Sequence, residues 1–153
     1  MTSGVKCNDL CQGRYDRLKK DKKTTFAVFR LNKKMDEIII DEEVDDALDA
    51  MASYKELTDL LADKSRPVFG QPRYIFYDVN YDLPAGGGHR NKPFFIFWCS
   101  DESAKMAEKM VYASSKTVVK KLDSSAEEQQ ANDLYELASA ADEYITTSIA
   151  KGR

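Results

Sequence analysis

The stretch Pro93-Phe94-Phe95-Ile96-Phe97-Trp98-Cys99 is an almost continuous run of apolar residues, and the predicted fold is built outward from it. Such a run, without polar residues at alternate positions, is typical of a strand that is covered on both faces. We therefore expect helices to pack on both sides of a β-sheet that contains this strand. Proline cannot donate a ladder hydrogen bond, so Pro93 is expected at the start of the strand.

The sequence before this run supplies three further strands. Residues 73–81 alternate aromatic or branched residues with other residues, which is typical of a strand, and the Gly-rich segment 83–88 connects them to the apolar run. Residues 24–31 and 37–41 are rich in β-forming residues and are separated by the polar turn 32–36. Because a short polar turn between two strands indicates a hairpin, we predict one here.

Four other segments have apolar residues at helical spacing. We predict helices over about residues 8–23, 46–62, 103–122 and 134–150. The third helix is the longest, and its adjacent residues Ser114 and Ser115 can hydrogen-bond to helical carbonyl groups, so we expect a kink there. Hairpins mixed with helices indicate an α+β fold with a central mixed β-sheet flanked by helices on both faces.

Length and composition indicate one globular domain over residues 1–153. Of the 153 residues, 42% are hydrophobic and 10% are aromatic, which excludes wholesale disorder. No apolar run approaches the ~20 residues that span a bilayer, and no signal-peptide pattern is present, so we expect a soluble protein made in the cytosol. We also expect it to be a monomer. Residues 1–6 are short and polar, and we expect them to form a mobile tail.

The formal net charge of −3 conceals a segregation of charge along the chain. Residues 1–35 contain ten basic and three acidic residues, and residues 103–122 contain five basic residues and one acidic residue. Residues 36–66 and 123–153 are strongly acidic. Such blocks can present a basic face to an acidic protein or lipid. From charge alone, however, an ordinary solvated surface is the favoured interpretation.

The side chains that most enzymes use are sparse. His89 is the only histidine, and the spacing of the carboxylates singles out no acid–base pair. The three cysteines are an odd number, which argues against a disulfide framework. Cys7 and Cys11 are spaced to share one side of a helix, but zinc needs two further ligands, and only Cys99 and His89 are available. We predict no enzyme, no metal site and no cofactor. The aromatic run fits a buried strand better than an RNA-stacking platform, so no nucleic-acid partner is predicted.

Three surface features indicate a binding function instead. The longest predicted helix carries Met106 and Met110, and a helix with an apolar strip and basic flanks can lie in a hydrophobic cleft of an acidic partner. Its five lysines are Lys105, Lys109, Lys116, Lys120 and Lys121. Arg90 and Lys92 are two positions apart and point the same way if extended. A phosphate on Ser3 would add about −1.5 to −2 charges close to a basic region.

The segment Lys109-Met110-Val111-Tyr112-Ala113-Ser114-Ser115-Lys116 resembles the signature on the long helix of the actin-depolymerising factor/cofilin family. Ser3-Gly4-Val5 is similar to the N-terminal motif of that family, and residues 73–78 and 95–98 are similar to its third and fourth strands. The order and spacing of these motifs hold over residues 3–137. The resemblance therefore covers most of the chain and does not depend on one motif.

The resemblance implies a single ADF-homology domain that binds actin monomers and filament sides, prefers the ADP form, and promotes filament severing and depolymerisation. By position, the residues that contact both monomer and filament would be Ser3, Gly4, Val5, Lys109, Met110 and Lys116, and the filament-specific residues would be Arg90 and Lys92. Ser3 would be the inhibitory phosphorylation site. The phosphoinositide-binding residues would be Lys105, Lys109, Lys116, Lys120 and Lys121. The domain would bind no nucleotide or metal itself and would act in the cytoplasm, at the actin cytoskeleton.

Two alternatives stay open at this point. One is a coactosin-like or glia-maturation-factor-like member of the same fold, which regulates filaments or a branching complex without severing. The signature on the long helix argues against it. The other is a phosphoinositide-binding peripheral module that uses the basic helix as its main site. The sequence also departs from the family pattern at Ala107, where a basic residue is common, and in the acidic last helix.

Overall fold

The structure is a computed structural model that describes residues 4–20, 26–47, 54–66, 71–82, 86, 88–99 and 106–131. These residues contain the helices α1 (Asp9–Lys20), α2 (Glu42–Ala47), α3 (Tyr54–Ala62) and α4 (Met106–Lys120). They also contain the strands β1 (Lys6–Cys7), β2 (Phe26–Leu31), β3 (Glu37–Ile40), β4 (Arg73–Asp82), β5 (His89–Trp98) and β6 (Glu127–Ala131). Within the described residues, no helix is long and apolar enough to cross a membrane.

The strands form one mixed sheet in the order β1-β3-β2-β4-β5-β6. The four inner strands pair antiparallel, whereas β1 pairs parallel with β3 and β6 pairs parallel with β5. The predicted α+β fold with a mixed sheet is therefore confirmed. The predicted β2–β3 hairpin is present, and β4 and β5 also pair antiparallel across the Gly-rich connection.

Residues 93–98 of the apolar run lie in β5, between β4 and β6. Phe94, Ile96 and Trp98 join a core cluster on one face of the sheet, and Phe95 and Phe97 join a second cluster on the opposite face. All five side chains are at most 3% exposed. The prediction that both faces of this strand are covered is confirmed.

The helices divide between the two faces. Val44 of α2 and Leu57 of α3 pack against the first face. On the second face, α1 and α4 contribute the buried side chains Cys11, Tyr15, Leu18, Tyr112 and Val119. Full burial of a large apolar side chain stabilises a fold by about 1.5–3 kcal/mol, so both clusters are needed to hold the sheet.

The strand β5 is longer than predicted, because it begins at His89 and not at Pro93. Pro93 lies inside the strand, opposite Asp78 of β4. The pairing of β5 with β6 starts at Phe94. Within the described residues, Pro93 therefore has no partner residue on β6. A proline is tolerated at such a position because no ladder hydrogen bond is required from it.

The predicted helix over residues 46–62 is wrong in its bounds. The described residues contain α2, which begins at Glu42, and a separate α3, which begins at Tyr54. Asp41 sets the early start of α2, because its carboxylate accepts the Val44 N–H at 3.2 Å and its carbonyl accepts the Asp45 N–H at 2.9 Å. Residues 48–53 lie outside the described residues.

The strand β1 was not predicted, and it corrects the expected mobile tail over residues 1–6. Val5 is only 7% exposed, and the Lys6 N–H donates to the Asp36 carbonyl at 3.1 Å. Val5 is therefore packed against the sheet and Lys6 is hydrogen-bonded at its edge, whereas residues 1–3 lie outside the described residues. The predicted placement of Cys7 and Cys11 on one helix is also wrong, because Cys7 lies on β1 and Cys11 lies in α1.

The strand β6 lies where the sequence is polar and no strand was predicted. It runs beside Phe94–Trp98 at the edge of the sheet. The long helix α4 falls within the predicted range 103–122, and Ser114 Oγ donates to the Val111 carbonyl at 3.1 Å. A kink at the two serines stays a prediction. The predicted last helix over 134–150 lies outside the described residues.

Candidate functional site

The outward face of α4 presents an exposed apolar side chain. Tyr112, Ser115 and Val119 turn towards the sheet and are buried, whereas Met110 is 65% exposed. Among the described residues, the only other large hydrophobic side chain this exposed is Leu10 of α1, at 69%. Such an exposed apolar group beside a cation suits the cleft of a partner protein.

Two tyrosines fix α4 on the sheet. The Tyr112 hydroxyl accepts the Leu31 N–H of β2 at 3.1 Å, and the Tyr74 hydroxyl of β4 donates to the Tyr112 carbonyl. Burial raises the pKa of both hydroxyl groups, so both stay protonated at neutral pH. The helix that carries Met110 is thus held rigidly by polar contacts as well as by apolar packing.

The five lysines predicted for α4 are not equivalent. Lys116 Nζ lies 2.8 Å from a Glu128 carboxylate oxygen on β6. Lys120 Nζ donates to the Ala126 carbonyl. Lys109 is half-buried and Lys121 is exposed, whereas Lys105 lies outside the described residues. The contacts of Lys116 and Lys120 were missed by the sequence reasoning, because they depend on β6 and on the turn before it.

The structure brings the N-terminal segment next to α4. Val5 belongs to the same buried cluster as Tyr112, and β1 contacts α4. Gly4 is exposed and has a φ of 79°, a left-handed conformation that glycine adopts without strain. Gly4 and Val5 therefore lie in a segment next to the helix that carries Lys109 and Met110, while Ser3 lies outside the described residues.

The β2–β3 turn (Asn32–Asp36) adds residues to this side that the sequence analysis did not select. A cleft of about 580 Å³ between the turn and the N-terminal segment is lined by Gly4, Lys6, Lys33 and Lys34, among others. A second cleft, of about 340 Å³, lies between the turn and α4. The available signal was a pair of adjacent lysines in a predicted hairpin turn.

Arg90 and Lys92 lie near the start of β5, at the end of the β4–β5 hairpin where the two strands are connected. Their backbone positions on β5 are opposite Tyr81 and Val79 of β4. The chain continues from Trp98, at the opposite end of β5, towards α4. At about 3.3 Å per residue, the eight steps from position 90 to position 98 separate these positions from that end by roughly 26 Å. The predicted filament-specific pair is thus not brought together with Met110.

A third cleft, of about 620 Å³, lies beside the free part of β3. Exposed Leu10, Ile40 and Arg73 are among its lining residues, and Arg73 Nε forms a buried ion pair with Asp41 at 2.6 Å. This ion pair links β4 to the start of α2. No group of three or more potential metal ligands occurs in the part of the chain that the structure describes.

The fold and the exposed face of α4 define a protein-binding domain. The family of cofilin/tropomyosin-type actin-binding proteins matches residues 4–143, and the chain belongs to this family. The resemblance found in the sequence is therefore confirmed. The protein is an actin-binding protein of the ADF/cofilin type, and its fold is that of an ADF-homology domain.

Individual relatives agree with this assignment. Cofilin of Gibberella zeae is 38% identical over 133 residues, which cover 86% of each chain. The crystal structure of Streptomyces griseoflavus cofilin has a TM-score of 0.68 at 33% identity and covers 98% of this chain and 100% of that one. Coactosin from Entamoeba histolytica has a TM-score of 0.69 at 18% identity, covering 95% and 94%, a likeness that concerns the fold alone.

Proposed function

We propose that this protein binds actin monomers and the sides of actin filaments and promotes the severing and depolymerisation of filaments. The observation that carries the proposal is the exposed Met110 on the rigidly anchored helix α4, beside Lys109 and close to the N-terminal segment. Met110 enters an apolar cleft of actin, and Lys109 meets acidic groups at its edge. The protein acts as a monomer in the cytoplasm, at the actin cytoskeleton.

Severing follows from differential binding. A protein that binds an altered filament geometry more tightly than the ordinary one shifts the filament towards that geometry. A preference for ADP-actin directs this effect to older parts of a filament. Arg90 and Lys92, which are remote from α4, supply the second contact that filament binding needs. Two separated contacts allow the protein to bridge neighbouring subunits, which monomer binding does not require.

Two kinds of regulation belong to the same surface. Ser3 directly precedes the exposed Gly4, so a phosphate there adds negative charge where an acidic partner binds. Phosphoinositides bind the basic face formed by Lys105, Lys109, Lys116, Lys120 and Lys121. Because Lys109 belongs to both sets, lipid and actin compete. The ion pair of Lys116 with Glu128 makes this lysine the weaker contributor.

The non-severing coactosin-like function is the second candidate within the fold. The TM-scores of 0.68 for the cofilin structure and 0.69 for the coactosin structure do not separate the two. The sequence identities of 33% and 18% favour the cofilin type. A phosphoinositide module without actin binding has no comparable support.

Co-sedimentation with filamentous actin, read together with filament length by microscopy, tests the proposal. We expect the protein to pellet with filaments at micromolar concentration and to shorten them. Pelleting without shortening would favour the coactosin-like function. If the protein neither pellets with filaments nor shortens them, an actin function for this surface is refuted.

Met110→Ala tests the contact that carries the proposal. Losing a methionine that becomes buried on binding costs about 1.5–3 kcal/mol, so affinity for actin monomers should fall roughly tenfold or more. Leu10→Ala is the matched control, because it truncates an equally exposed apolar side chain on α1. Equal affinities of the two variants in a monomer-binding titration would contradict the assignment of Met110.

A further inference from the structure

Two cysteines from adjoining elements meet at the same residue of β3. Cys7 on β1 is in register with Ile38, and both side chains pack on the same buried cluster. The Cys11 thiol in the first turn of α1 donates to the Ile38 carbonyl at 3.5 Å. The Asn8 N–H, between the two cysteines, donates to that carbonyl at 2.9 Å. The short connection between β1 and α1 thus places both cysteines beside Ile38.

The two thiols differ in access and in acidity. Cys7 is half-buried and reachable from solvent, whereas Cys11 is fully buried. A hydrogen bond with Cys11 lowers the pKa of the Cys7 thiol, and the same contact together with burial raises the pKa of the Cys11 thiol. Since the thiolate is the reactive form, Cys7 is the attacking sulfur and Cys11 is placed to attack second.

We propose that Cys7 and Cys11 form a dithiol site that a small disulfide, such as glutathione disulfide, oxidises to an intramolecular disulfide. The Cys7 thiolate attacks one sulfur of the oxidant, which gives a mixed disulfide and releases one glutathione thiolate. The Cys11 sulfur then attacks the Cys7 sulfur, and the second glutathione leaves as a thiol that carries away the Cys11 proton. Two protein thiols are oxidised and one glutathione disulfide is reduced to two glutathiones, so atoms and electrons balance.

The new bond ties the edge strand β1 to the first turn of α1. In the dithiol form, β1 is held on β3 through the short parallel pairing of Lys6 with Glu37 and of Cys7 with Ile38. A two-residue edge strand opens easily, and a covalent link to a helix restricts that opening.

Intact-mass spectrometry of the folded protein after incubation with glutathione disulfide tests the proposal. The wild-type protein should lose two hydrogens without retaining glutathione, and Cys99→Ser should behave in the same way. Cys7→Ser should form neither the disulfide nor an adduct at Cys11. Cys11→Ser should stop at the mixed disulfide and retain one glutathione on Cys7. Cys11→Ala serves as the second resolving variant in case the buried serine disturbs folding, which circular dichroism checks.

Several outcomes would overturn the proposal. These are a wild-type protein that keeps a stable glutathione adduct, a Cys99→Ser variant that cannot form the disulfide, or oxidation that occurs only in denaturant. Hydrogen exchange supplies an independent readout. The Lys6 and Asn8 amides, which donate to the Asp36 and Ile38 carbonyls of the neighbouring chain segment, should exchange at least threefold more slowly in the oxidised protein than in the reduced one. Unchanged exchange would overturn the link between the bond and β1.

Discussion

Tyr112 connects α4 to two strands through two different groups. Its hydroxyl accepts the Leu31 N–H of β2, and its carbonyl accepts the Tyr74 hydroxyl of β4. Tyr112 falls within the helix signature of the sequence, but a pattern of spacing cannot predict which backbone group a buried hydroxyl will contact. The role of Tyr112 in positioning the neighbouring Met110 emerges only from the packing.

Tyr112→Phe should lower the free energy of unfolding by about 1–3 kcal/mol, because it leaves the buried Leu31 N–H without its acceptor. The ring packing is retained, so the change isolates the hydrogen bond. Urea denaturation measures the effect, and an unchanged m-value would show that the compactness of the two states is the same. A loss below about 0.5 kcal/mol would mean that water replaces the hydroxyl.

Residue type alone also overestimates the availability of the lysines on α4. Five lysines against one glutamate suggest a uniformly basic helix, yet Lys116 and Lys120 reach across to groups near β6. Each also lies about 6 Å from a ring of β5, since Lys116 Nζ is 6.0 Å from the Phe97 centroid and Lys120 Nζ is 5.9 Å from that of Phe95. The aliphatic stems of these lysines lie over the sheet, and only their charged ends reach the protein surface.

At the scale of elements, the strands that could be predicted are those with buried apolar faces. β4 and β5 can be predicted from their apolar residues, because both faces of these strands are covered. The β2–β3 hairpin can be predicted from the polar turn between its strands. β1 and β6 are edge strands of two and five residues, and the Glu-Glu-Gln-Gln-Ala sequence of β6 has no apolar pattern. Their pairing depends on neighbouring strands that are distant in sequence, so local periodicity cannot reveal them.

The contact between α4 and β6 leads to a prediction about lipid binding. Glu128→Gln should release Lys116 from its ion pair and raise affinity for vesicles that contain phosphatidylinositol bisphosphate. One more available cation near an anionic surface contributes about 1 kcal/mol, which corresponds to roughly fivefold. Vesicle co-sedimentation measures the change.

Glu43→Gln is the matched control for this effect, because it removes the same charge from exposed α2 on the opposite face of the sheet. If the effect came only from the change in net charge, both variants would bind the vesicles more tightly by the same factor. The proposed role of Lys116 requires that Glu128→Gln be the stronger of the two. Equal gains would assign the effect to net charge alone.

For the whole molecule, the sheet acts as a spacer between two sets of candidate contacts. The N-terminal segment, the β2–β3 turn and α4 share one region, and Arg90 and Lys92 lie near the far end of β5. The motif resemblance selected both sets, but their separation follows from the antiparallel course of β4 and β5. A rigid spacer of this kind allows one set to be changed without disturbing the other.

Arg90→Ala combined with Lys92→Ala should therefore reduce filament binding and leave monomer binding within about twofold of wild type. Charges that contact only the filament contribute only where that contact exists. Co-sedimentation measures the first affinity and a monomer titration measures the second.

Lys20→Ala combined with Lys64→Ala removes the same charge from exposed positions on α1 and after α3, and it should leave both affinities unchanged. If the Arg90 and Lys92 pair weakened monomer and filament binding to the same extent, the two contact regions would act as one. The separation along β5 would then have no functional meaning.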